Sequence, residues 1–393
     1  MALQPAAGAR DLNPREVELN RTLCARLAGT YRLWGYQEVA PPHFEHLDTL
    51  EAGGGIDGRE VVRLAADEPL GLRPELTASI ARAASTRLAG RPRPLRLWAE
   101  GPTFRSQIGD GGQQRISEDL QSGVELLGDR STAAEVELMR LLLEASAAVG
   151  LGPQHQPRLL VGHHGLLAAM LEQVPAELRQ AVRAALTGLD ALALTQLPLA
   201  DNLRQRLAAL LRLRGEPVQV IYQLEQWLGP VPLLGDLAAS LKLVEPASRR
   251  LGISLHLDPT FQPHFALYDG LVLRLVCQGP TAPVPVASGG RYDALVGRFG
   301  GEPGQAAGVG FGFAVAALRE VLGSQAAHGD QVGGPTLVTF AQPELLGRAL
   351  DKLETLHRSG QCAELHGRPV ASQGEADQLA SGRGCSRALW LAA

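Results

Sequence analysis

Gln121 and Glu125 stand two strand periods apart, so a strand through them presents both side chains on one face. Arg105 falls in the segment predicted to pair with that strand. A carboxamide, a carboxylate and a guanidinium gathered in this way suit a small polar ligand; the duller reading is an exposed strand face, and Arg105 favours the pocket. Glu75 and Thr77 stand at the start of a predicted helix, with Arg73 just before them. They can receive a ligand's cation, or Arg73 and Glu75 can pair locally while Thr77 caps the helix. Tyr292 follows Gly289-Gly290 and Arg291, and reads either as a ligand-facing ring or as a core aromatic.

Other chemistries find less support. His43 and His46, and the pair His163-His164, have metal-like spacing but lack acidic or cysteine companions in register, so no metal site is expected. Cys24, Cys277, Cys362 and Cys385 contain no Cys-x-x-Cys spacing and read as thiols of a reduced, cytoplasmic protein. The only lysines are Lys242 and Lys352, and no Gly-x-x-x-x-Gly-Lys stretch exists, which excludes a P-loop. The glycine-rich run 51–60 is read as a mobile loop, since neither a lysine nor a helix start follows at phosphate-cradling distance. A net charge of −4 argues against nucleic-acid binding. No secretory signal and no run of eighteen apolar residues is found, so no membrane association is expected.

The elements that must position these residues follow from patterning. Asn13, Pro14 and Glu16 make a capping box and a helix start, and Leu19, Leu23, Leu27 and Tyr31 recur on one helical face to about residue 31. A strand is predicted over Tyr36–Ala40, a helix over Thr77–Leu88, and paired strands over Leu95–Ala99 and Gly123–Leu127, joined by the polar stretch Ser106–Arg115. Ala133–Val149 reads as a helix. From about residue 158 to 250, leucine and alanine recur with helical period, which suggests a helical insertion. Strand patterns return over Ile253–Leu257 and Leu271–Cys277, and Ala306–Leu322 reads as a strand running into a helix. Residues 323–335 form a linker by composition, and 336–393 alternate strand and helix as a small α/β domain.

Five segments, in order, resemble class II aminoacyl-tRNA synthetases, histidyl-tRNA synthetase in particular. GARDLNPRE with its helix and GYQEVAPP is similar to the first, dimer-forming motif; LRPELTA, residues 72–78, to the amino-acid-binding segment; RLWAEGPTFRSQIGDGGQQRISEDLQSGVELLG to the second motif; ASGGRYDAL, residues 287–295, to a histidine-specific signature; and GVGFGFAVAALREVL, residues 308–322, to the third motif. The resemblance covers nearly the whole chain. It implies an α+β fold, an antiparallel sheet flanked by helices, over residues 1–322, followed by a truncated anticodon-binding-like domain.

The resemblance also assigns roles. Glu75, Thr77, Gln121 and Glu125 match positions that receive the α-amino group and imidazole of histidine, Tyr268 and Tyr292 match aromatic residues near the ring, and Arg105 matches the arginine near the carboxylate. The nucleotide grip departs from the family pattern. Aligned on Val309-Gly310-Phe311, Ala317 stands where the third motif ends in an arginine, and Ala316 replaces its acidic neighbour. A methyl group cannot replace a guanidinium fork. Arg319, two residues on, is turned about 200° around the helix. In the second motif Gln107 stands at an acidic position and Ser117 at the partner position of Arg115; Pro263 and Ala266 stand at an arginine and an aspartate of a further histidine-specific segment. The resemblance therefore implies a relative that has lost aminoacylation, with no catalytic residues and no cofactor. Such relatives include the regulatory subunits that pair with a short-form ATP phosphoribosyltransferase catalytic subunit in histidine biosynthesis. It further implies self-association as a dimer, histidine as effector and no tRNA. A divergent histidine–tRNA ligase is the alternative.

Overall fold

A computed structural model describes residues 5–52, 58–108, 113–263, 267–300, 304–323 and 334–392. Ala266, the glycines at 53–55, most of the 323–335 linker and the centre of the 106–115 stretch lie outside them. The chain divides into two compact units, Met1–Gly323 and Ser324–Ala393.

The first unit opens with α1 (Pro14–Leu33), whose capping box is complete: the Glu16 N–H donates to Asn13 Oδ1 and the Asn13 N–H to Glu16 Oε2, both at 3.0 Å. There follow β1 (Gln37–Glu38), β2 (Phe44–His46), α2 (Leu47–Glu51), β3 (Val62–Arg63), β4 (Leu70–Leu72), α3 (Thr77–Ser85), β5 (Leu95–Ile108), β6 (Gln114–Leu127) and α4 (Thr132–Ala148). Next come β7 (Arg158–His163) and the helices α5 (His164–Glu172), α6 (Arg179–Thr187), α7 (Ala191–Gln196), α8 (Asp201–Leu210), α9 (Pro217–Leu228) and α10 (Pro232–Leu251). The unit ends with β8 (Ser254–Leu257), β9 (Leu271–Gln278), β10 (Pro283–Arg291), α11 (Asp293–Arg298), β11 (Gly308–Ala314) and α12 (Val315–Leu322).

Eight of these strands form one sheet in the order β1-β5-β6-β11-β10-β9-β7-β8. The expected antiparallel core is there, from β5 across to β7, but β1 and β8 join its two ends in parallel. The sheet is therefore mixed. Two boundaries also differ from the sequence reading. Residues 158–163, assigned to the helical insertion, form β7 inside the sheet, and the helices start at His164. The pattern RLLVGH is too short and apolar to separate a buried strand from a helix by period alone. The paired strands β5 and β6 run to Ile108 and from Gln114, well beyond 95–99 and 123–127. Their outer halves carry polar residues that mask strand alternation.

The sheet's two faces have different tasks. Trp98, Val124 and Phe311 lie side by side on one face, and Tyr31 of α1 packs there, with ring centroids 5.9 Å from Trp98 and 6.2 Å from Phe311. The neighbouring row Leu97, Glu125, Gly310 and Gly290 points to the opposite face. Leu76, Ile80 and Ala84 of the α3 region, Leu295 of α11 and Tyr292 pack with Leu95, Leu97 and Leu127 on that second face. The candidate site lies beside this cluster.

A buried arginine closes the first unit. Arg291, at the end of β10, is 8% exposed. Its Nε donates to Glu135 Oε1 of α4 at 2.5 Å, and Nη1 and Nη2 reach Asp293 Oδ1 and the carbonyls of Asp129 and Ser131, each at 3.2 Å.

The second unit holds β12 (Thr336–Phe340), α13 (Leu346–Arg358), β13 (Ala363–Leu365), α14 (Gln373–Gly382) and β14 (Arg387–Leu391). Its three strands are parallel, in the order β13-β12-β14, and Val338, Phe340, Ala349 and Leu356 form its core.

Removing one partner of a buried pair leaves an uncompensated charge. Arg291→Ala should lower the unfolding free energy by about 3–5 kcal/mol in chemical denaturation. Arg249→Ala, which breaks the exposed pair with Glu245, should cost under about 1 kcal/mol.

Candidate functional site

The seven residues singled out from sequence, Glu75, Thr77, Arg105, Gln121, Glu125, Tyr268 and Tyr292, all line one recess on the second face of the sheet. Strand register explains the arrangement. Gln121 and Glu125 share a face of β6, opposite Gly101 and Leu97 of β5, and Arg105 lies further along β5 opposite Ser117. On the other side of β6, Gly310 and Gly312 of β11 face Glu125 and Gly123.

Glu125 sits at the centre and is 3% exposed. The Thr77 hydroxyl donates to its Oε1 at 2.7 Å, and the Tyr292 hydroxyl donates to its Oε2. Burial pushes the carboxyl up to about 8; the two hydroxyls pull it back and the Glu75 charge pushes it further up. Burial likewise raises Glu75, against the pull of N–H groups from Ala78 and Thr77 and of the Arg105 charge. Tyr268 and Tyr292 are raised above the usual phenol value by burial, then by the nearby carboxylates.

The lip of the recess decides between the open readings of residues 73–77. Arg73 does not bond to Glu75. It is 1% exposed, and its guanidinium donates to the carbonyls of Pro41 at 2.8 Å, Pro102 at 3.0 Å and Pro42 at 3.2 Å. The Phe104 N–H in turn donates to the Arg73 carbonyl at 2.9 Å. This fastens the segment before α3 to β5. Glu75, rather than Thr77, caps α3: its oxygens accept from the backbone N–H groups of Thr77 and, at 2.9 Å, Ala78. A carboxylate there also meets the positive end of the helix dipole. The Thr77 side chain is thereby left to serve Glu125.

Sequence reasoning missed the floor. Gly123, Ser288, Gly310 and Gly312 line the recess. A Cβ built on Gly310 would lie 1.6 Å from Glu125 Oε2, so this glycine makes room for the carboxylate. The signal was present: glycines alternating at 308, 310 and 312 leave one face of a strand bare.

A second recess adjoins the first and shares Arg105, Gln121 and Ser288 with it. Its other lining residues include Gln107, Ser117, Ala316 and Ala317. These are the departures noted in the second and third motifs, and the fold brings them to one place. Arg319 also borders it, but its Nη1 donates to Asn20 Oδ1 at 2.6 Å and its Nη2 lies 3.6 Å from Glu16 Oε1, both on α1. Pro263 is buried and is not among the residues lining either recess.

Of the paired histidines, His163 has a structural task. His163 Nδ1 accepts from the Gly165 N–H at 3.0 Å and caps α5, and burial lowers its ring to about 4. Among the described residues, no three His, Cys, Asp or Glu side chains gather as a metal site, and no helix is long and apolar enough to cross a membrane.

Comparison with known proteins gives the family and the fold. Residues 8–318 match the family model described as histidyl-tRNA synthetase. The chain is 51% identical to an ATP phosphoribosyltransferase regulatory subunit of Synechococcus sp. (strain RCC307) and 50% identical to that of Prochlorococcus marinus (strain MIT 9313), each over 100% of both chains. The crystal structure of an ATP phosphoribosyltransferase regulatory subunit/histidyl-tRNA synthetase from Bacillus halodurans superposes with a TM-score of 0.82 at 24% identity, covering 99% of this chain and 98% of that one, and shares the fold. With full-length identity of this order and a class II synthetase fold, the chain belongs to the ATP phosphoribosyltransferase regulatory subunits of the histidyl-tRNA synthetase-like family.

Proposed function

We propose that this chain binds free L-histidine in the first recess and passes its occupancy to a short-form ATP phosphoribosyltransferase catalytic subunit, which carries the chemistry of the first step of histidine biosynthesis. The chain is required for that subunit's activity and for feedback by histidine, while catalysing nothing itself. One observation carries this reading: a complete set of carboxylates, hydroxyls and an arginine adjoins a recess whose nucleotide-gripping positions are Ala316, Ala317, Gln107 and Ser117.

The chemistry is that of a zwitterion receptor. Glu75 and Glu125 offer oxygens to an ammonium and a ring N–H, Arg105 offers a fork to a carboxylate, and Tyr268 and Tyr292 flank the ring. Charge-assisted hydrogen bonds in a partly closed recess give both affinity and selectivity. Adenylate formation would also need positioned cations around a triphosphate. Ala317 supplies none, and Arg319 is engaged with α1. The names of the full-length relatives do not favour the ligase reading. Relay to the partner requires two global states that histidine binds unequally.

Calorimetry with L-histidine should give saturable one-site binding, and Glu75→Gln should weaken it at least about tenfold, a loss of roughly 1.4 kcal/mol. ATP–pyrophosphate exchange with histidine should stay at background; turnover there defeats the non-catalytic reading. Mixed with the short catalytic subunit, the chain should raise its activity, and added histidine should lower it.

Gly310→Ala tests the recess itself. The added methyl forces Glu125 aside, so histidine binding should be lost and stability should fall by about 1–3 kcal/mol, read from denaturation midpoints. Unchanged binding would show that Glu125 is not a ligand residue.

A further inference from the structure

The recess holds an imbalance of charge. Glu75 and Glu125 are joined through one residue, Thr77, whose N–H donates to Glu75 and whose hydroxyl contacts Glu125 at 2.7 Å. Against these two acids, Arg105 is the one cationic side chain among the described residues lining the recess. It reaches the Pro74 carbonyl at 3.3 Å, and its field acts on Glu75. Among the described residues, Glu125 receives hydrogen bonds only from neutral hydroxyls, those of Thr77 and Tyr292. Outside the recess the buried Arg73 guanidinium also acts on Glu75; the remaining titratable groups that feel the pair are Tyr292, Tyr268 and Tyr36, whose hydroxyls burial keeps neutral. Both cations act on Glu75 and neither acts on Glu125, so the two buried carboxylates cannot both stay ionised cheaply.

Resting on the reading of this recess as a histidine site, we propose that the ligand-free protein holds one proton on the Glu75–Glu125 pair, and that histidine takes its place, so that binding releases a proton to solvent. The proton resides chiefly on Glu125, the more deeply buried acid. The Thr77 hydroxyl can accept as well as donate, so the 2.7 Å contact serves both protonation states. On binding, the Glu125 O–H bond breaks, the proton passes to the buffer, and the carboxylate accepts from the ligand's N–H. No covalent bond to the ligand forms.

The sign follows from the direction of the shift. With Glu125 raised to about 8, the acid is mostly protonated at neutral pH and must give up its proton before it can receive a cation or a ring N–H. Histidine affinity should therefore rise about fivefold from pH 7 to pH 8 and level off above that. The free ring, with an ordinary value of about 6.5, is largely neutral in this window.

Calorimetry of the whole protein with L-histidine at pH 7, in buffers of different ionisation enthalpy, counts the protons. About one proton released per histidine is expected. An infrared difference spectrum gives a reading independent of heat: a neutral-carboxyl band at pH 7 should vanish on adding histidine and be missing from Glu125→Gln. Binding with no proton release, or ligand-free protein lacking the band, overturns the exchange and leaves the histidine reading intact. No histidine heat at any pH overturns the histidine reading itself.

Discussion

A single buried carboxylate organises the recessed face of this protein's sheet. Glu125 points from near the end of β6 into a region with little access to water, and its neighbours are placed around that fact. Tyr292 and Thr77 satisfy its oxygens, and Gly310 vacates the volume its side chain fills. Unmet polar groups in such a setting are costly, so each of these residues is constrained by the acid as much as by any ligand. Its position is also what makes it useful: an acid already stripped of water needs little further desolvation when a donor arrives.

The surrounding architecture serves to hold that arrangement still. Arg73 binds three backbone carbonyls and fastens the segment that carries Glu75 and Thr77 to β5. Arg291 ties the end of β10, immediately before Tyr292, to α4. Neither arginine touches the recess, yet each fixes a strand end from which a lining side chain departs. The face opposite is a plain aromatic and aliphatic core beneath α1, where Tyr31, Trp98 and Phe311 pack.

Much of this was legible in the sequence. The two-period spacing of Gln121 and Glu125 placed them on one face, and Asn13 and Glu16 marked the start of α1. Less could be read where tertiary partners decide. Arg73 and Glu75 are two residues apart and look like an ion pair; carbonyls from residues 41, 42 and 102, invisible in local pattern, claim the arginine instead. Strand β7 hid because six mostly apolar residues before a helical stretch carry no distinguishing period. The glycine floor was overlooked because a missing side chain draws no attention until a neighbour is seen to occupy its place.

The location of β7 has a further consequence. The helices α5–α10 leave the sheet from β7 and return through β8, and these two strands are adjacent at one margin. The recess is built on β5, β6, β10 and β11, with β9 lying between them and β7. The excursion is thus joined to one margin of the sheet, while α10 also packs along α4, where Arg250 pairs with Glu144 and Arg140 donates to the Leu243 carbonyl. α4 in turn holds Arg291, next to Tyr292, through Glu135, so the helices reach the recess through α4 as well as from strand to strand.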